Sequence, residues 1–181
     1  MRSELLLVTG SAGHLGEALM RTFRASGRAA VGVDRVASPY TDVVGSIADR
    51  AFVERIMKGA TAVLHTATLH KPHVATHRQQ EFVDTNVTGT LNLLETAAAE
   101  GVSAFVFTST TSAFGDSLKP RDGDPAAWIT EDTVPIPKNI YGVTKVAAED
   151  LCALAHRNQG LPCVVLRTSR FFPEPDDDPT A

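Results

Sequence analysis

The stretch Leu5-Leu6-Leu7-Val8-Thr9-Gly10-Ser11-Ala12-Gly13-His14-Leu15-Gly16 decides the fold. A short apolar run, with no alternation, stops at a glycine and gives way to a helical pattern. An uninterrupted apolar run of this length reads as a strand buried on both faces. The three glycines then have separate tasks. Gly10 permits the tight turn, Gly13 lets the backbone come close to a pyrophosphate, and Gly16 lets the helix pack tightly on the sheet. The helix N-terminus offers free N–H groups and a positive dipole end to phosphates. Glycines alone serve many turns. Placed after a first strand and opening a helix, this trio has the context that dinucleotide binding requires, although its GxxGxxG spacing is one residue longer than the usual fingerprint.

Further along the chain the same rhythm repeats. Short apolar runs fall at Leu5–Val8, Ala29–Val33, Val43–Val44, Ala62–Leu64, Ala104–Phe107 and Cys163–Leu166. Helical patterns lie between them, near 14–26, 49–58, 78–100 and 140–158. In the third, Phe82, Val83, Val87, Leu91, Leu94 and Ala98 recur at helical spacing, and Gly101 follows as a stop signal. This alternation predicts βαβ units in a single α/β domain with a doubly wound parallel sheet. Two segments break the rhythm. Residues 66–77 carry Pro72 and several histidines, and residues 116–138 are rich in Pro, Asp and Gly. Both follow the carboxyl ends of strands, where open α/β sheets bind ligands. The tail at 172–179 reads as an irregular loop.

Asp34 closes the second strand, 18 residues after Gly16. An acid there accepts hydrogen bonds from the adenosine ribose hydroxyls and repels a 2′-phosphate, which favours NAD over NADP. Arg35 beside it weakens that preference somewhat, and the alternative role for Asp34 is a plain strand-end turn residue.

The bulk composition narrows the field. The chain has 181 residues, 43% hydrophobic and 21% charged, with a formal net charge of -4, which is ordinary for a soluble globular domain. No basic excess points to nucleic acid and no polybasic run to a membrane surface. The N-terminal apolar run is too short for a signal peptide core or a membrane span, so a cytoplasmic location is expected. Cys152 and Cys163 form no disulfide framework or metal spacing and read as two small buried thiols. His65, His70, His73 and His77 bring no matching carboxylate cluster, so no metal site is expected. His70 and His73 read either as substrate-facing or as solvated loop residues.

Taken with its later motifs, the chain resembles the extended short-chain dehydrogenase/reductases, the NAD-dependent epimerase/dehydratase family. The motifs are the glycine loop, Asp34, Leu64-His65-Thr66-Ala67, Asn86-Val87-Thr88-Gly89-Thr90, Thr108-Ser109-Thr110 and Tyr141-Gly142-Val143-Thr144-Lys145. The resemblance implies a Rossmann fold, NAD as cofactor, and a sugar or nucleotide-sugar as substrate. It implies Tyr141, Lys145 and Thr110 as catalytic residues. It implies cofactor contacts at Gly10, Ala12, Gly13, His14, Leu15, Gly16, Asp34, Ser46, Ile47, Thr66, Ala67, Asn86, Thr108, Tyr141 and Lys145. It also implies a homodimer built on the 78–100 and 140–158 helices. Three departures stand out. Ser46-Ile47 replaces an Asp-hydrophobic pair near the adenine. Thr111-Ser112 replaces the Asp-Glu of sugar 4,6-dehydratases, which argues against that dehydration. Phe114 stands where an aromatic Tyr is usual.

The chemistry these residues suit is hydride transfer from a secondary alcohol. A free tyrosine, with a pKa of about 10, is a poor base at neutral pH. A lysine four residues on, on the same helix face, places a cation near the phenol and favours the phenolate. Thr110 would orient the substrate hydroxyl. The competing expectation is an NAD-binding or redox-sensing module without catalysis. Because the family's members usually run well beyond this length, the chain reads as part of a longer enzyme that lacks most of the substrate pocket.

Overall fold

A computed structural model describes residues 4–120, 122–130 and 132–169. The tail at 172–179 lies outside the described residues. Six strands form one parallel sheet: β1 Leu6–Thr9, β2 Ala30–Asp34, β3 Val43–Val44, β4 Ala62–His65, β5 Ala104–Thr110 and β6 Cys163–Thr168. Their order is β3-β2-β1-β4-β5-β6, with every neighbour pair parallel. The helices are α1 His14–Ala25, α2 Arg50–Ile56, α3 Gln79–Phe82, α4 Gly89–Ala99 and α5 Ile140–Gln159.

The pleat of β1 explains the two layers. Leu6 and Val8 cluster with Met20 and Phe23 of α1. Leu7, between them, joins the larger core with Phe52, Leu93, Phe105, Phe107 and Cys152. Successive strand residues point to opposite faces, so a central strand must be apolar at every position. Full burial of one such side chain is worth about 1.5–3 kcal/mol. The edge strands differ from the expected two-sided burial. Val43 and Val44 of β3 are both exposed, and β6 alternates, with Val164 and Leu166 open while Cys163 and Val165 pack on the core. An edge strand has one neighbour, and its apolar run says nothing about what covers its second face. Cys152 is buried and Cys163 only partly so.

The strand order reverses between β1 and β4, which both lie beside one another at the centre of the sheet. Their carboxyl ends carry the glycine loop and the Thr66-Ala67 turn. Ligands of open α/β sheets bind at such a switch point.

The expected single helix over 78–100 is interrupted. Between α3 and α4, Val83–Thr88 forms a π-helical segment. Val83, Thr85, Val87 and Thr88 are β-branched and crowd an α-helical turn, and Asn86 uses the wider turn to reach a neighbouring loop. Such π segments gather at functional sites. The excursion at 116–138 returns to its start: Gly115 bridges Ile136 in parallel. Gly115 has φ +53°, and a Cβ there would lie 2.0 Å from the Ile136 carbonyl oxygen. α5 begins with Asn139, whose Oδ1 accepts the Gly142 N–H at 3.1 Å, and stops at Gly160 in the left-handed region.

Candidate active site

The loop between β1 and α1 is held closely against the ends of β2 and β4. The Gly10 N–H donates to the Val33 carbonyl at 2.8 Å. Gly10 has φ +77°, and a Cβ there would meet Ala67 N at 2.6 Å. At Gly16 a Cβ would lie 2.0 Å from the Gly10 carbonyl oxygen. At Gly13 it would meet only that same oxygen, at 3.3 Å, among the described residues. Packing therefore demands Gly10 and Gly16, while Gly13 leaves a space that the described residues do not fill. Gly13 is the N-cap of α1 and no described side chain caps that end. A helix N-terminus that no described side chain caps, beside a glycine that the described residues leave open, fits an anionic group such as a pyrophosphate.

Asp34 stands beside this loop. Its Oδ2 accepts the Ala12 N–H at 3.0 Å and its Oδ1 accepts the Val36 N–H at 3.0 Å. Its carboxylate thus fixes the loop as well as closing β2. His14 is exposed at the start of α1, with Leu15 half-buried behind it. Thr66 donates its hydroxyl to the Thr9 carbonyl at 2.7 Å, which ties the β4 turn to β1. Ser46 accepts the Ala48 N–H, and Ile47 is buried against Gly89 in the core. The Ile47 carbonyl accepts from Asn92. The Ile47 side chain is thus spent on packing.

The carboxyl end of β5 meets α5. Lys145 is buried, donates from Nζ to the Thr108 carbonyl at 2.6 Å, and lies 3.9 Å from the centre of the Phe107 ring. Burial pushes its pKa down to about 7, against the pull of the Glu149 carboxylate. Tyr141 is buried one turn earlier, with the Thr110 side chain near its phenol. Burial raises its pKa, and the Thr110 contact offsets part of that rise. In this state the phenol holds its proton. The expected lowering by Lys145 does not appear here, because the ammonium is turned to the Thr108 carbonyl. Tyr141, Lys145, Thr110 and Thr108 are nonetheless brought together as their sequence motifs suggested.

Asn86, expected as a cofactor contact, bonds two neighbouring segments in this structure. Its Oδ1 accepts from Leu69 N and Thr68 Oγ1, and its Nδ2 donates to the Leu69 carbonyl and Thr144 Oγ1. Both its acceptor sites and both its donors are used, so it braces the loop after β4 against α5. His65 is also structural. Its Nδ1 meets Thr9 Oγ1 at 2.7 Å and its Nε2 meets Thr90 Oγ1 at 2.9 Å. Thr90 donates its proton to the Asn86 carbonyl, so it accepts from the Nε2–H of His65. Burial lowers the His65 pKa to about 3, with the Lys145 charge adding to the effect. His70 and His73 stack at 4.4 Å on the exposed side of the loop, and the Lys145 charge reaches His70. Among the described residues no group of His, Cys, Asp and Glu could hold a metal ion.

The Glu149–Arg167–Ser109 network was not anticipated. Glu149 accepts from Ser109 Oγ and from Arg167 Nε and Nη2, the last at 2.6 Å. The signal was present: Glu149 stands four residues after Lys145, on the same helix face.

Known proteins share this sequence pattern and fold. The sequence is 33% identical over 177 residues to a UDP-glucose 4-epimerase of Rhizobium leguminosarum bv. trifolii, covering 92% of this chain and 52% of that protein. The chain thus spans about half the length of the curated relatives it matches. A short-chain dehydrogenase/reductase superfamily protein from Agrobacterium tumefaciens, solved with bound NAD, superposes with a TM-score of 0.80 at 32% identity, covering 91% of this chain and 48% of that one. The UDP-glucose 4-epimerase of Thermotoga maritima, solved with UDP-glucose, gives 0.78 at 27% identity, covering 90% and 54%. The sequence pattern of the NAD dependent epimerase/dehydratase family matches residues 6–180, and the chain belongs to that family.

Proposed function

We propose that the protein to which this chain belongs is an NAD-dependent oxidoreductase or epimerase acting on a secondary alcohol of a sugar or nucleotide-sugar. The observation that carries this reading is the convergence of Tyr141, Thr110 and Lys145 at the end of β5. The names of the relatives, several of them UDP-glucose 4-epimerases, support the substrate class.

The cradle of Gly10, Ala12, Gly13, His14, Leu15 and Gly16 would hold the cofactor pyrophosphate, and Asp34 the adenosine ribose. Ser46 and Ile47 would offer backbone to the adenine, and Thr66, Ala67 and Thr108 would border the nicotinamide side. When bound, the nicotinamide supplies the hydride acceptor and, in its oxidised form, a positive charge beside the phenol. Tyr141 takes the hydroxyl proton. Lowering a phenol by about 3 pH units, from about 10, requires roughly 4 kcal/mol of differential stabilisation. Lys145, turning from the Thr108 carbonyl toward the phenol and the nicotinamide ribose, contributes to it. Thr110 orients the substrate hydroxyl.

Tyr141→Phe removes the proton acceptor and keeps the ring. In the full-length protein, turnover should fall by about 10²–10⁴-fold while NAD affinity changes little. Turnover at the wild-type rate would overturn the assignment. We also infer a homodimer through α4 and α5. Leu91 and Leu154 are exposed along the groove between these helices, beside Leu94 and Leu151. Light scattering at tens of micromolar, on the order of working concentrations for standard interfaces, should find two copies. Monomer alone would remove the inference.

A further inference from the structure

Three consecutive residues of β5 each engage α5 at a different turn. Thr108 receives Lys145 through its carbonyl, Ser109 donates its hydroxyl to Glu149, and the Thr110 side chain lies near the Tyr141 phenol. Their partners stand at 141, 145 and 149, one helical turn apart. The next strand closes the arrangement. Arg167, paired with Ser109 in the β5–β6 register, grips Glu149 with two nitrogens, and Thr168 donates its hydroxyl to the Ser109 carbonyl at 3.0 Å. Arg167 also lies over the Phe114 ring at 4.8 Å.

We propose that Glu149, clamped by Ser109 and Arg167, is a positioning residue that keeps the Lys145 ammonium charged and holds α5 in register with β5. The proposal rests on the reading of Lys145 as the working cation beside Tyr141. Lys145 is buried, and burial alone favours its neutral form. Tyr141 stands one helical turn before Lys145 and Glu149 one turn after it, on the same face of α5; Cys152 on α5, His65 on β4 and His70 on the following loop are the other titratable groups within reach of its charge. Of these, Glu149 is the carboxylate. Its side chain is 10% exposed, so its field is little screened by water. Arg167, 32% exposed, takes up part of that negative charge. The strength of the Glu149–Arg167 pair therefore sets how much negative field reaches Lys145.

Glu149→Gln and Arg167→Met should act in opposite directions. The first removes a negative charge near Lys145; the second frees one. A purely structural clamp would loosen in both variants and move Lys145 the same way. The readout is the ¹³C NMR titration of the Lys145 ε-carbon in the full-length protein, assigned by its absence in Lys145→Arg. The midpoint should fall by about one pH unit in Glu149→Gln and rise by a similar amount in Arg167→Met, the low end of the range for a neighbouring charge. Shifts of the same sign, or none, would overturn the proposal. If Glu149→Gln does not fold, Arg167→Met decides alone: an upward shift supports the clamp, and a downward shift or none sinks it. Tyr141→Phe turnover is measured separately, with UDP-glucose as the probe. Wild-type turnover there removes the Tyr141 base without touching the titration, so the two failures are told apart.

Discussion

Gly13→Ala and Gly16→Ala add the same methyl group to the same loop, and the structure assigns them opposite consequences. At Gly16 the new Cβ would sit 2.0 Å from the Gly10 carbonyl oxygen and 2.8 Å from the Ser11 Cα. Both are backbone, so neither can rotate aside. Overpacking of this kind costs about 1–3 kcal/mol, and so deep an overlap belongs at the upper end. Ala regains about 1 kcal/mol of helix propensity over Gly. The net loss is about 2 kcal/mol, which in a domain of this size lowers the unfolding midpoint by about 4–8 °C. At Gly13 the methyl meets a single atom at 3.3 Å, and the backbone there, φ −84° and ψ 164°, suits any residue. Ala is a poorer N-cap than Gly by about 0.5–1 kcal/mol, and the stiffer unfolded chain returns about 0.4–1 kcal/mol. Stability should stay within about 0.5 kcal/mol. The methyl enters the space proposed for the pyrophosphate, so NAD affinity should fall at least about tenfold, or 1.4 kcal/mol. Thermal unfolding and calorimetric NAD titration of the full-length variants measure both quantities on the same samples. If Gly13→Ala unfolds as early as Gly16→Ala and binds NAD normally, the division between a packing glycine and a ligand glycine is wrong.

Three further outcomes are expected. Asp34→Asn keeps an acceptor oxygen for only one of the Ala12 and Val36 N–H groups and loses the charge, so calorimetry should show the preference for NAD over NADP shrink; an unchanged ratio would remove Asp34 from cofactor selection. His65 is held neutral with its pKa lowered to about 3, so between there and the unfolded value near 6.5 the unfolded chain binds the extra proton. Its contribution to stability is therefore complete above about pH 6.5 and is lost as pH falls, by about 2 kcal/mol from pH 6.5 to 5. Denaturant melts of His65→Gln should show a flatter pH dependence over that window, and a slope equal to wild type would refute the linkage. Lys145→Ala removes a cation assigned to both ribose and phenol, so kinetics should show weaker NAD binding as well as slower turnover; loss of turnover with unchanged NAD affinity would confine Lys145 to the phenol.

The positions of Tyr141, Lys145 and the glycine loop were legible because each is a local device. A helix places residues i and i+4 on one face wherever it sits, and a strand–glycine–helix turn needs nothing from the rest of the chain. The six strands were legible for a related reason, since central strands of a doubly wound sheet must be apolar on both faces. What escaped were features decided by partners distant in sequence. The π segment at Val83–Thr88 depends on Asn86 reaching Leu69 and Thr144. The burial of Ile47 depends on its seat against Gly89. Glu149 looked like an ordinary helix-surface acid until β6 brought Arg167 to it across 18 residues.

Sequence by itself determined the order of strands and helices, the glycine turn proposed to receive a phosphate, and the identities of the groups proposed to move a proton. Tertiary structure alone decided their charge states. Tyr141 is pushed up and Lys145 down to about 7 because packing strips water from both. Desolvation and the field of neighbouring charges depend on which elements close over a side chain, and no spacing along the chain encodes that.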